Sequence, residues 1–214
     1  MMPTYKHVPT GKRFLFIHIP RTAGRFFEEN LKLNNFEVEQ ENIWQSVDGI
    51  EVAHFHKELY EKHFDVEDIP HISIVRNPID RFFSSSIFIR RMYGNDVDNL
   101  LEDPMYFYSV LQNFPLSQSV NWFRNQVDFI SNKTHIWKFE NKFRDNFGSW
   151  IEKILEVPFK IHDVPYNKLS TDEDNKIVRS DKIIDNLRNF YRKDIEQLYP
   201  ELATPLQEGA KTKT

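Results

Sequence analysis

Short hydrophobic runs alternate along this chain with longer segments in which apolar residues recur at helical spacing. The runs are rich in aromatic and β-branched residues and predict buried strands at 13–19, 52–54, 71–76 and 134–139. The helical spacing predicts helices at 26–33, 57–64, 78–93, 104–125 (in two pieces), 143–155 and 181–199. Strands that alternate with helices predict a three-layer α/β sandwich around a central, mostly parallel sheet.

The length and composition favour one domain. The chain has 214 residues, and its 19 Phe and 4 Trp can supply a sizeable core. No linker-like stretch or internal repeat divides it. We therefore expect a single domain over residues 1–200 and a flexible C-terminal tail over residues 201–214.

Charge and cysteine content exclude several classes of function. The net charge of −4 argues against a nucleic-acid binder, and the absence of Cys excludes disulfides, thiolate metal sites and cysteine nucleophiles. The first twelve residues are polar, and the longest apolar run, 14–19, is too short to span a bilayer. These features predict a cytoplasmic protein without a membrane span.

The segment after the first predicted strand has the features of an anion site. A tight turn over Thr22, Ala23 and Gly24 leads into a helix and aims several backbone N–H groups at one point, while Arg21 and Arg25 add guanidinium donors. The Walker A pattern of ordinary NTPases is absent. The alternative is a polar connection with solvated arginines. His18, inside the strand, is expected to be a buried support for the turn.

A second anion site is predicted after the strand at 71–76. Arg76 ends this strand, Pro78 begins the next helix, and Ser84 lies on that helix, so that the guanidinium and the hydroxyl can clamp one phosphate. Arg81, Arg90 and Arg91 are expected to add positive charge along the helix. In the alternative, the serines only fill the helix and Asp80 neutralises an arginine.

Together the two segments resemble the PAPS (3′-phosphoadenosine 5′-phosphosulfate) motifs of carbohydrate sulfotransferases, in particular the heparan sulfate 2-O-like group. Residues 16–24, F-I-H-I-P-R-T-A-G, are similar to the loop that holds the 5′-phosphosulfate, although Arg21 replaces the usual Lys and Arg25-Phe26 replace small hydroxyl residues. Residues 74–84, I-V-R-N-P-I-D-R-F-F-S, are similar to the segment that holds the 3′-phosphate. The resemblance implies the P-loop-like sulfotransferase fold, PAPS as donor and a glycan or glycolipid hydroxyl as acceptor.

The resemblance also implies roles for individual residues. Arg21 is expected to act in catalysis and binding, the turn 22–25 to hold the phosphosulfate, Arg76 and Ser84 to hold the 3′-phosphate, and Lys168 to contact the nucleotide. The family carries a catalytic His between the two motifs, where this chain has His54 and His56. On a strand these two histidines would point to the same side, so both remain candidates for the general base, with His54 slightly preferred. Glu28 and Glu140 are secondary candidates.

Three further expectations complete the sequence interpretation. We expect no metal, because the His-x-His pair lacks a third ligand at convincing spacing, although His63 or Asp65 are available. A P-loop-like kinase is one alternative function, and a non-catalytic nucleotide-binding remnant is another. The change to Arg25-Phe26 motivates the second alternative.

Overall fold

The computed structural model describes residues 4–39, 43–66, 68–93, 121–144, 146–164 and 179–203. The strands are β1 Thr4–His7, β2 Arg13–Ile17, β3 Phe36–Val38, β4 Ser46–Val47, β5 Ile50–Glu51, β6 His71–Val75 and β7 Thr134–Lys138. The helices are α1 Gly24–Leu33, α2 Lys57–His63, α3 Pro78–Tyr93, α4 Phe147–Leu155, α5 Asp181–Phe190 and α6 Arg192–Leu198. Short 3-10 turns occupy Val52–His54, Gln126–Asp128, Phe139–Asn141 and Pro200–Leu202.

Five strands form the central sheet in the order β3-β1-β2-β6-β7. The pairs β2–β6 and β6–β7 are parallel, while β1 is antiparallel to both β2 and β3. Four of these five described strands therefore run in the same direction, because β3 reverses the direction of β1. The predicted α/β class with a mostly parallel central sheet is confirmed.

Alternating side chains of the parallel strands build a core on each face of the sheet, as the two-residue period of a strand requires. On one face, Phe14 and Phe16 pack with α1 and α4 through Phe27 and Phe147. On the other face, the second cluster contains Leu15, Ile17, Tyr60, Val75 and Leu198. Helices therefore cover both faces, and the sheet is the middle layer of a sandwich.

Several predicted elements differ from the structure. Residues 52–54 form a 3-10 turn after the two-stranded β4–β5 hairpin and take no part in the central sheet. The predicted helix 181–199 is two helices that meet at Tyr191, whose ring is fully buried. β1 and β3 were not predicted. The predicted helical pieces at 104–125 lie mostly outside the described residues.

The parallel pairing of β2 with β6 positions the site. Ile17 is opposite Ser73 in the register, and the Ser73 hydroxyl donates to the Ile17 carbonyl at 2.9 Å. Both strands end at the same edge, where ligands of open α/β sheets bind. The turn after β2 and the residue after β6 therefore face the same region. Within the described part of the chain, no helix has the length and apolarity needed to cross a bilayer.

Candidate active site

The turn after β2 combines left-handed backbone with an uncapped helix start. Arg21 and Ala23 have φ angles of 67° and 77°, a region that costs a non-glycine residue about 1–2 kcal/mol. Thr22 is buried and its hydroxyl donates to the Ile19 carbonyl at 2.8 Å, which closes the turn. Ala23 is the N-cap of α1 and has no side-chain acceptor. Backbone strain of this kind is typical of ligand-binding turns, and the positive end of α1 suits an anion.

The close approach of His18 leaves room only for glycine at residue 24. A Cβ atom at residue 24 would lie 1.9 Å from Nε2 of His18, so the imidazole occupies the space that any other side chain would need. His18 is buried, stacks on Phe16 and has its Nδ1 3.3 Å from Oε1 of Glu28. His18 therefore lies beneath the turn as the predicted support.

The two predicted anion motifs meet at hydrogen-bond distance. Nε of Arg21 donates to Oγ of Ser84 at 3.1 Å, and Nη1 of Arg76 donates to the Arg21 carbonyl at 3.4 Å. The Arg21 guanidinium also lies over the Phe88 ring, 5.0 Å from its centroid, and that of Arg76 lies 4.9 Å from the Phe139 centroid. Two guanidinium groups and one hydroxyl thus converge beyond the ends of β2 and β6.

Gln126, which was not among the predicted site residues, forms hydrogen bonds with both backbone polar groups of Arg76. Its Oε1 accepts from the Arg76 N–H at 2.9 Å, and its Nε2 donates to the Arg76 carbonyl at 2.7 Å. Nε2 also donates to Oδ2 of Asp194 at 3.2 Å, while Oδ1 of Asp194 accepts from the Val127 N–H. Burial raises the pKa of Asp194 above its ordinary value, although Arg81 and these donors oppose the rise. The fully buried Gln126 therefore fixes the position of Arg76.

The expectation that Arg81 adds positive charge along the helix is wrong. Arg81 is fully buried, and its guanidinium donates to the carbonyls of Trp122 and Arg124, so it is structural and adds no charge to the surface of α3. Asp80 pairs with Arg179 at 3.0 Å, as the neutralising alternative predicted. The side chains of Arg90 and Arg91 lie outside the described residues, and so does Lys168.

His54 ends the 3-10 turn and lies against His18. Its ring centroid is 4.9 Å from that of His18, and Nδ1 lies 2.9 Å from Oε2 of Glu51. Its carbonyl accepts from Nδ2 of Asn121 at 2.6 Å. Burial lowers the pKa of His54, and the neighbouring His18 adds to this, whereas Glu51 and Glu28 oppose it. His54 is thus a buried imidazole that favours the neutral form.

The described neighbours of His56 differ from those of His54, and residues 52–54 form a 3-10 turn and not the predicted strand. The ring of His56 lies 6.5 Å from that of Phe129, and its Nε2 is 3.8 Å from the exposed carboxylate of Glu58. Burial lowers the pKa of His56, and the positive charge of the nearby Arg124 lowers it further. The described contacts therefore join His54, and not His56, to His18, which lies beneath the turn after β2.

Glu140 and Glu28, the secondary candidates for the general base, both contact other groups of the fold. Oε1 of Glu140 accepts from the Asn77 N–H at 2.7 Å and Oε2 accepts from the Tyr199 hydroxyl at 3.0 Å. Glu28 is buried beside His18. Burial tends to raise the pKa of Glu28, but His18, Arg25 and His54 together hold it below the ordinary value. A carboxylate with a lowered pKa is a weak proton acceptor.

Two tryptophans lie near His54, and Arg25 contacts one of them. Trp44 is 40% exposed, and its ring lies 5.7 Å from that of His54. The exposed Arg25 places its guanidinium 4.9 Å from the Trp44 centroid. Trp122 lies 6.5 Å from His54 and packs on Phe88 at 4.2 Å. Neither tryptophan was predicted to lie beside His54.

Comparisons with known proteins add one structural likeness. No family model matches the chain, and no curated protein sequence matches it. The fold is similar to the crystal structure of a sulfotransferase from Alicyclobacillus acidocaldarius, with 16% sequence identity over 69% of this chain and a TM-score of 0.37. The match spans 59% of that protein's length. The functional assignment below therefore depends on the contacts of the site itself.

Metal ligands do not cluster in the described part of the chain. Its residues contain no group of three or more His, Asp or Glu side chains that could hold a metal ion. The basic groups around the loop are instead suited to an anionic ligand.

Proposed function

We propose that this chain binds PAPS and transfers its sulfonate to an acceptor hydroxyl on a carbohydrate or glycolipid. The observation that carries the proposal is the convergence of Arg21, Ser84 and Arg76 within 3.1–3.4 Å contacts at the ends of two adjacent parallel strands. A donor with two separate anionic groups needs two such cationic positions within one site. The sequence motifs around these residues independently resemble the two phosphate-binding segments of carbohydrate sulfotransferases.

Each part of the donor would be held by a different element. In the proposed site, Arg21 and the backbone of the turn 22–25 hold the 5′-phosphosulfate at the start of α1. Arg76 and Ser84 hold the 3′-phosphate, and Gln126 keeps Arg76 in place. Lys168 belongs to the same proposal as a further nucleotide contact. The planar guanidinium of Arg21 can donate two hydrogen bonds to anionic oxygens. Arg is therefore compatible with the phosphosulfate-binding role that Lys has at this position in carbohydrate sulfotransferases.

His54 is the proposed general base. The acceptor hydroxyl gives its proton to His54 as the acceptor oxygen forms a bond to sulfur. The bond between sulfur and the bridging oxygen of the 5′-phosphate breaks, and its electron pair stays on that oxygen, beside Arg21. The products are a sulfate ester and PAP, the desulfated nucleotide. A neutral base and a cation at the leaving group are the two requirements of this transfer.

The Arg25-Phe26 replacement supports one competing function. Phe26 is buried and its ring packs 4.9 Å from that of Phe143, so residue 26 belongs to the core and offers no hydroxyl to the loop. Arg25 is exposed on Trp44 and supplies a cation at the same end of α1. A non-catalytic PAPS-binding module remains the second candidate, and a kinase is disfavoured by the missing Walker A residues.

Turnover distinguishes these candidates. The purified chain is incubated with PAPS and a mixture of mono- and oligosaccharides and glycolipids, and PAP release is followed by chromatography, with ATP and Mg²⁺ in a parallel reaction. We expect acceptor-dependent PAP release that falls about a hundredfold or more in H54A, whereas H56A retains most of it. PAP binding without turnover would support the non-catalytic module, and acceptor phosphorylation from ATP would support the kinase.

A further inference from the structure

Glu51 and His54 form a pair that depends on the local backbone. Residues i and i+3 lie above one another in a 3-10 turn, so Glu51 at the end of β5 reaches the ring at the end of Val52–His54. The Oε2–Nδ1 distance is 2.9 Å, with the His54 side chain 8% exposed and that of Glu51 34% exposed. The pair is therefore partly screened from water at its carboxylate end and buried at its imidazole end.

The position of the carboxylate determines which ring nitrogen can accept a proton. A carboxylate only accepts hydrogen bonds, so Nδ1 of His54 must carry the hydrogen that faces Glu51. In the neutral ring the lone pair then belongs to Nε2. Without Glu51, His54 would lose the contact that favours the tautomer with its hydrogen on Nδ1.

Three other charged or titratable groups are described near His54. They are His18 at 4.9 Å between ring centroids, Glu28 behind His18, and Arg25 across Trp44. His18 disfavours a positive His54, while Glu51 and Glu28 favour it. Among these described groups, Glu51 is the carboxylate in direct contact with the ring.

The geometry points to Glu51 as the positioning residue of the base: it holds His54 with Nε2 as the proton acceptor and stabilises the imidazolium that forms when the acceptor proton arrives. The catalytic part of this inference depends on the proposed function, but the tautomer and the charge preference of His54 do not. In the transfer step, the proton moves from the acceptor oxygen to Nε2, and the hydrogen on Nδ1 stays in its bond to Glu51.

Histidine NMR tests this inference without any substrate. Ring nitrogen shifts of His54 are followed from pH 5 to 8 in ¹⁵N-labelled wild type, E51A and E51Q, with E58Q as control because Glu58 faces His56 at 3.8 Å. We expect Nδ1–H in wild type and in E51Q, whose amide oxygen can still accept. E51A should become a mixture of tautomers. The pKa of His54 should fall in both Glu51 variants and stay unchanged in E58Q.

Turnover then separates the positioning role from binding. In E51A, kcat should fall about tenfold to a hundredfold, less than for loss of the base itself, while KM for PAPS stays within about twofold. E51Q should recover part of kcat and move the acid limb of the pH profile to lower pH. An unchanged tautomer and pKa of His54 in E51A would overturn the inference. Absence of turnover in wild type would contradict the proposed function but leave the NMR result decisive for Glu51.

Discussion

Arg21 donates from Nε to the hydroxyl of Ser84 at 3.1 Å, across 63 positions of sequence. This bond joins the turn before α1 to the second turn of α3, and Arg76 adds a bond to the Arg21 carbonyl. Because these contacts involve donors or hydroxyls that can also bind an anion, a ligand phosphate can replace them without leaving a buried charge unpaired.

Gly24 should not tolerate a methyl group. A Cβ at this residue would clash with Nε2 of His18, so G24A must displace the imidazole that packs against His54. We expect a loss of about 1–3 kcal/mol in the free energy of unfolding, measured by urea denaturation. In the double variant G24A/H18A, the loss should be smaller than the sum of the two single losses by about 1 kcal/mol or more.

Gly11 provides the control for this cycle. It has a positive φ, of 72°, but a Cβ there would meet no atom within 4 Å. The cost of G11A should come from backbone strain alone and should add to the cost of H18A. Full additivity between G24A and H18A would mean that His18 does not determine the need for glycine at residue 24.

Replacement of Gln126 should weaken both folding and donor binding. Q126L removes the bonds to the Arg76 N–H and carbonyl and one bond to Asp194, and each buried polar group left unpaired costs about 1–3 kcal/mol. We expect a loss of at least about 2 kcal/mol in denaturation and a weaker PAP affinity in the folded variant. The exposed Gln45 gives the control Q45L. A stable Q126L with full PAP affinity would show that Arg76 needs no such support.

Stability should fall as the solution becomes mildly acidic. Burial lowers the pKa of His54 and of His56 below the ordinary value of 6.5, so the unfolded chain takes up these protons first as the pH drops. The stability that these two neutral rings contribute is complete above pH 6.5 and is lost as the pH falls towards their pKa values in the folded chain. The loss between pH 7.5 and 5.5, measured by urea denaturation, should be smaller in H54Q/H56Q than in wild type.

The exposed Gln45, which does not titrate, supplies the control for this measurement. Q45L should show the same change in the free energy of unfolding between pH 7.5 and 5.5 as wild type. Equal pH dependence in wild type and H54Q/H56Q would contradict the assigned burial effect on these two rings.

The parallel core strands could be predicted from the sequence because they depend on local patterns, and the two segments proposed as anion sites follow two of these strands. Buried parallel strands are continuous apolar runs, as at Arg13–Ile17 and His71–Val75, and the helix start at Pro78 follows from the fixed φ of proline. β1 and β3 were missed because their pairing with β2 and with each other is non-local and their sequences are short and partly polar.

The role of Glu51 could not be predicted once residues 52–54 were assigned to a strand. On a strand, residues i and i+3 point to opposite faces, whereas in a 3-10 turn they lie on the same side. The strand prediction therefore separated Glu51 from His54 and paired His54 with His56. Gln126 gave no sequence signal, because a buried amide acquires its meaning only from the backbone that it contacts.

Calorimetric titration with PAP tests the central claim most directly. Wild type, R76A and S84A are titrated with PAP, with ADP and ATP as nucleotide controls and R192A as the protein control, since Arg192 is exposed and pairs only with Glu196 among the described contacts. The account predicts PAP binding in wild type and R192A that exceeds binding of ADP and ATP and is lost or strongly weakened in R76A and S84A. Absence of PAP binding in the folded wild type, or equal affinity in R76A, would contradict it.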